Sequence, residues 1–180
     1  MAKHIAFLKA INVGGHTVKM DYLKKLFEKM GFENVETFIA SGNVVFETKS
    51  KSVDAIKKKI GTELEKSLGY EVVTFIRTTK ELKEIAEHKP FEESDLNNKK
   101  NHLYIGFLDN QPDKELQKNV LALSDEANEF HFNRTELYWL CRKNFSDSGI
   151  TGKTLEKALG METTIRNSTT IKKIVLKFCI

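Results

Sequence analysis

One order of elements occurs twice in this chain of 180 residues, and that repetition constrains the fold more than any other feature. In the first half, β-rich runs at 3–9, 35–40, 44–48 and 72–76 read as strands. Between them, 21–30 carries Leu23, Leu26, Phe27 and Met30 at helical spacing, with Gly31 as its stop. The stretch 53–68 carries Val53, Ile56, Ile60, Leu64 and Leu68 on one stripe, with Gly69 after it. The order is strand, helix, strand, strand, helix, strand. A short helix is expected at 81–88, and the polar segment 90–100 reads as a linker. The pattern then begins again: strand at 102–108, helix at 113–123, strands at 130–132 and 137–141, helix at 153–159, strand at 161–166 and a closing helix at 169–178.

Residue identities support a duplication. Leu64–Glu71 (LEKSLGYE) and Leu155–Glu162 (LEKALGME) share six of eight residues at an offset of 91. Ile5-Ala6-Phe7-Leu8 corresponds to Ile105-Gly106-Phe107-Leu108. Both matches fall at equivalent places in the element order. The expected fold is therefore α+β, with two ferredoxin-like βαββαβ halves at 1–89 and 101–180 and an extra C-terminal helix.

That topology predicts which loops meet. The first strand runs up, its helix down and the second strand up. The loop Asn12-Val13-Gly14-Gly15-His16, the hairpin bend Ser41-Gly42-Asn43 and the turn at Leu68-Gly69-Tyr70 therefore share one end. Glycines there allow close backbone approach, and successive N–H groups in such a turn can cradle an anion. The N-terminus of the following helix favours negative charge as well. Asn12, Gly14, Gly15, His16, Ser41, Gly42 and Asn43 form the first candidate ligand site, with Lys9 or Lys19 supplying charge; ordinary turn chemistry is the competing explanation. A second polar cluster, Lys153, Arg166 and Asn167, is expected at the opposite end of the second half. There the alternative is helix capping by Ser146, Thr151, Ser168 or Thr169.

Several chemistries are excluded or unsupported. Gly152-Lys153-Thr154 ends like a P-loop, but GxxxxGK[ST] requires Gly at position 147, where Asp147 stands. Ser41 has no GxSxG context. The five histidines are scattered, and Cys141 and Cys179 match no metal spacing, so neither a cofactor nor a metal is expected. Cys141 reads as a packing residue. Tyr138-Trp139 reads as core in preference to an RNA-stacking platform.

The net charge is +4, and residues from 150 onward carry six basic and two acidic side chains, which is the whole excess. Such a tail attracts phosphates or forms a solvated helix face. The N-terminus enters a strand directly, with no signal-peptide pattern, and no apolar stretch is long enough to span a membrane. A cytoplasmic location is the expectation.

Three segments together resemble a known bacterial family. They are Ile11-Asn12-Val13-Gly14-Gly15, then Phe38-Ile39-Ala40-Ser41-Gly42-Asn43-Val44-Val45-Phe46, and Thr164-Ile165-Arg166-Asn167 with Thr170. The chain resembles the domain of unknown function 1697 over nearly its full length. The resemblance implies an α+β protein with plait-like halves and no particular chemistry. Where that family often has Arg-Gly, this chain has Lys9-Ala10, and where Trp often follows Arg-Asn, Ser168 stands.

The functional expectation is a protein that binds a phosphorylated small molecule or nucleotide through its Gly-rich loops. A single-stranded nucleic-acid module is one alternative. A phosphate-ester transferase or hydrolase is another, with His16 as general base and Lys153 or Arg166 stabilising charge. An interaction protein without chemistry is the last.

Overall fold

Each half begins with a strand whose two faces are both apolar, and this decides how the rest of the chain is used. A computed structural model describes all 180 residues. The first half contains β1 (Ala2–Leu8), α1 (Met20–Lys29), β2 (Glu33–Phe38), β3 (Asn43–Thr48), α2 (Val53–Leu68) and β4 (Thr74–Thr78). Then follow α3 (Thr79–Glu87) and α4 (Glu93–Asn97). The second half contains β5 (His102–Phe107), α5 (Lys114–Leu121), β6 (Asn128–Asn133), β7 (Glu136–Cys141), α6 (Gly152–Leu159), β8 (Thr164–Asn167) and α7 (Ser168–Phe178). The sheets are antiparallel with orders β2-β3-β1-β4 and β6-β7-β5-β8. These are the same topology twice, the duplicated ferredoxin-like arrangement. No helix is long and apolar enough to cross a membrane.

Local chemistry sets the boundaries. Ser52 caps α2 by accepting from the Ala55 N–H at 3.2 Å, and Gly69 ends it at φ +81°. Asp113 caps α5, and Thr151 forms a capping box with Thr154 at α6. β4 passes into α3 without a loop. There Thr78 and Glu81 form a reciprocal box, the Thr78 N–H donating to Glu81 Oε2 at 2.7 Å and the Glu81 N–H to Thr78 Oγ1 at 3.2 Å.

In the first sheet, Ala6, Leu8, Val44, Phe46 and Ile76 pack against Leu23, Leu26 and Phe27 of α1 and Ile56, Ile60 and Leu64 of α2. The alternating residues Ile5, Phe7, Val45 and Phe75 point to the other face and are buried too. The second sheet repeats this. Leu137, Trp139 and Cys141 pack against Val120, Leu155 and Leu159, while Ile105, Phe107, Tyr138 and Leu140 are buried on the far face. Tyr138 and Trp139 are thus both core, and burial pushes the Tyr138 phenol well above its ordinary pKa. Neither ring is open for base stacking.

The far faces explain why the division of the chain differs from 1–89 and 101–180. One unit comprises Met1–Lys83 with Ile174–Ile180, and the other comprises Glu84–Lys173. In the first unit the end of α7 lies against β2. Phe178 meets the Phe38 ring edge-on at 5.9 Å, and Lys177 Nζ lies 3.2 Å from Glu36 Oε2. In the second unit the end of α3 lies against β7, with the Tyr138 hydroxyl donating to the Ile85 carbonyl at 3.2 Å. Each half therefore lends the end of its last helix to the other unit. The expected linker 90–100 is not featureless: it contains α4, tied down by Arg142, whose guanidinium lies 2.9 Å from Asp95 Oδ2.

Candidate ligand-binding site

The loop after β1 and the β2–β3 bend meet at one end of the first unit, and Asn12 joins them. Its Nδ2 donates to the Ala40 carbonyl at 2.7 Å, and its Oδ1 accepts from the Val18 N–H at 2.6 Å. One side chain thereby fixes the bend 28 residues away and the exit of its own loop. The Leu8 N–H donates to the Gly42 carbonyl at 2.8 Å, closing the same junction. The equivalent bond in the second unit runs from the Leu108 N–H to the Thr135 carbonyl.

Gly42 sits at φ +79°, and a Cβ there would lie 2.6 Å from Ile11 Cγ2. Only glycine fits this contact. Gly14 and Gly15 differ: both have positive φ, +67° and +88°, but open space surrounds them. Their N–H groups have no partner within the protein. The glycine at the bend serves packing, and the two in the loop leave a bare, accessible backbone.

His16 is exposed and stacks on Tyr70, with ring centroids 3.8 Å apart. Tyr70 donates through its hydroxyl to the Ile11 carbonyl at 3.3 Å. The turn after α2 thus enters the site, as the topology requires. α1 starts nearby at Met20 with no side-chain cap, so its first N–H groups are unsatisfied. Asp21 in that first turn opposes an anion.

Not every expected residue faces outward. Asn43 is fully buried, and its Nδ2 donates to the Phe38 carbonyl at 2.8 Å and to Ser41 Oγ at 2.9 Å. It holds the bend together from inside. Two further residues shape the junction without any polar or glycine signal of their own in the sequence. Ala10 and Ile39 adopt left-handed φ of +53° and +62°. For β-branched Ile39, which is 49% exposed, this is a strained conformation. Left-handed backbone therefore flanks Asn12 on both sides of the junction. The signal at position 10 was present, since the family resemblance places glycine there; Ile39 carried none.

The second cluster does not assemble. Arg166 is buried in β8, and its guanidinium donates to Thr164 Oγ1 at 2.8 Å and to the Ile165 carbonyl at 3.0 Å. Desolvation lowers its pKa to about 10, so it stays charged at neutral pH. Ile165 packs with the α6 side of the sheet, so Arg166, one residue on, points to the opposite face. Lys153 lies exposed on the first turn of α6 and forms no bond to Arg166 or Asn167. Asn167 starts α7 by accepting from the Thr169 N–H at 2.8 Å, in place of the expected Ser168 or Thr169 cap. Arg77 occupies the matching place in the first unit. Arg77 pairs with Ile5 and Arg166 with Ile105, and each donates to the carbonyl before it. The duplication extends to these buried cations.

The family model for "Protein of unknown function (DUF1697)" matches residues 1–138. The chain belongs to this family. The match covers the whole first βαββαβ unit and its loop site. The chain is also similar to a solved structure of a conserved bacterial protein from Streptococcus pneumoniae, at 21% identity and a TM-score of 0.79. That alignment covers 98% of this chain and 97% of the other, so the DUF1697 architecture described above is shared along the full length. No curated protein matches the chain.

Proposed function

We propose that the loop end of the first unit binds a phosphorylated small molecule, with a nucleotide as the best fit. The observation that carries this reading is the Asn12 bridge. It ties the loop to the β2–β3 bend and to its own exit at Val18 while leaving the Gly14 and Gly15 N–H groups without protein partners. Preset donors of this kind cradle a phosphate without ordering cost. The uncapped start of α1 adds donors, and Lys19, exposed at its N-cap position, adds charge. The stacked His16–Tyr70 pair offers an exposed ring for a base to lie on, which favours a nucleotide over a sugar phosphate.

The test is thermal stabilisation by a panel of mononucleotides and sugar phosphates in phosphate-free buffer. Gly15→Val is expected to abolish the ligand-induced rise in Tm while the ligand-free protein stays folded, because nothing lies within 4 Å of its Cβ and the strain of a β-branched residue at φ +88° falls on an exposed loop. No shift with any member of the panel, or an unchanged shift in Gly15→Val, would refute the reading.

A further inference from the structure

Exposed aliphatic surface adjoins the bare glycine backbone of the loop site. The His16 N–H donates to the Val13 carbonyl at 3.4 Å, which closes Val13-Gly14-Gly15-His16 into one four-residue turn. The two ends of this turn are chemically unlike. One carries the imidazole stacked on Tyr70, and the other carries Val13, which is 64% exposed. A second aliphatic side chain comes from the β2–β3 bend. The 2.7 Å bond from Asn12 Nδ2 to the Ala40 carbonyl joins the two loops, and Val13 follows Asn12 while Ile39 precedes Ala40. Val13 and Ile39 are thus each one residue away from the two partners of the same hydrogen bond.

Neither side chain belongs to the apolar core of the first unit. Ile39 shows this most clearly. Its φ of +62° suits Gly or Asn, whereas a β-branched residue is strained there. A bend has no need of an aliphatic side chain at such a position, and leaving one in water is unfavourable. Strain and exposed apolar surface gathered at one candidate site point to a group that covers them. Continuity with the glycine N–H groups makes that group a part of the same ligand.

We infer that the ligand of the loop site is a nucleotide whose phosphate carries a second, apolar group. It is a phosphodiester with a nucleoside on one side and an apolar ester on the other. This inference deepens the nucleotide reading above and rests on it. The phosphate lies on the Gly14 and Gly15 N–H groups, the base on the His16 ring and the apolar ester on Val13 and Ile39. A diester carries a single negative charge, which backbone N–H groups match without a buried cation. Asp21 in the first turn of α1 also repels a monoanion less than a dianion.

The experiment is a calorimetric titration of the full chain, in phosphate-free buffer, with adenosine 5′-phosphate, its methyl ester and its n-hexyl ester. The two esters share charge and base and differ only in the length of the apolar group; stacking on a ring accepts any base. The hexyl ester is expected to bind at least about tenfold tighter than the methyl ester. In the double variant Val13→Ser/Ile39→Asn this ratio is expected to fall below about threefold. Asn tolerates the left-handed bend, so the ligand-free Tm of Ile39→Asn is expected to fall by no more than about 2 °C. A larger fall would make Ile39 a packing residue and overturn the inference. It is also overturned, with the nucleotide reading left standing, if the hexyl ester binds no tighter than the methyl ester, if adenosine 5′-phosphate binds and neither ester does, or if the ratio persists in the double variant. Binding of none of the three overturns the nucleotide reading and this inference together.

Discussion

Replacing Gly42 by Ala tests whether the two loops are held together by packing. The new Cβ would lie 2.6 Å from Ile11 Cγ2, 3.1 Å from Leu8 Cβ and 3.3 Å from the Leu8 carbonyl oxygen. Ile11 and Leu8 are buried and have nowhere to retreat. Overpacking of this kind costs about 1–3 kcal/mol. Holding Ala at φ +79° costs a further ~1–2 kcal/mol. Lower entropy of the unfolded chain returns about 0.4–1 kcal/mol. The expected net loss is about 2–4 kcal/mol. Gly15→Ala is the control. Its φ of +88° is similar, but nothing lies near its Cβ, so only about 1 kcal/mol is expected. Urea unfolding separates the two. With a slope of about 2 kcal/mol/M, the midpoint should fall by about 1–2 M for Gly42→Ala and by about 0.5 M for Gly15→Ala. The single tryptophan, Trp139, lies in the second unit, so its fluorescence follows that unit. The loss is therefore to be read from circular dichroism, which follows both. Equal losses within about 0.5 kcal/mol would show that the contact with Ile11 and Leu8 has no energetic weight, and the packed junction would have to be abandoned.

Other outcomes follow from the same geometry. Asn12→Ala removes two hydrogen bonds and is expected to cost about 1–3 kcal/mol, with faster exchange of the Val18 amide; unchanged exchange would contradict the bridge. Asp21→Asn should strengthen phosphate-ligand binding at the loop site by about 2–5-fold, measured by calorimetry, because it removes a charge that opposes the anion. Asp125 accepts bonds from the N–H groups of Ala127 and Asn128 and from Asn128 Nδ2, which hold its carboxyl below the ordinary range. Its stabilising contribution is present above the ordinary carboxylate pKa of about 4 and is lost as pH falls through its own lower value. Asp125→Ala should therefore flatten the acid limb of a stability–pH curve; an unaltered limb would rule Asp125 out as its source. His131 has its pKa lowered by burial and by neighbouring His88. Below the ordinary histidine pKa of about 6.5 the unfolded chain takes up this proton first, so stability drops there. His131→Phe should remove part of that drop, read from Tm at pH 5 and 7.

Much of this architecture was legible in residues that act locally. Strand and helix periods, the stops at Gly31 and Gly69 and the Thr151 cap depend on near neighbours, so they survive without tertiary information. The repeated order of elements then dictated the sheet connections, and with them the meeting of Asn12-Val13-Gly14-Gly15 with the β2–β3 bend. What the order could not decide was the direction of single side chains within that junction. Ser41-Gly42-Asn43 looks uniformly polar and loop-like, yet Asn43 turns inward and Ser41 bonds to it. Arg166 looked like a surface cation, but one step along β8 it points to a buried face and donates to its own strand.

The sequence alone determined two βαββαβ units and the end of the first at which its glycine loops gather, because periodicity and connectivity are properties of the chain itself. Only the tertiary structure decided which segments cover the second face of each sheet. Ile5 and Phe7, like Ile105 and Phe107, need apolar cover that no local pattern names. The end of α7 reaches that face of the first sheet at Phe38 and the end of α3 reaches that of the second at Tyr138, because burial rewards any apolar surface that arrives there, whatever its distance along the chain.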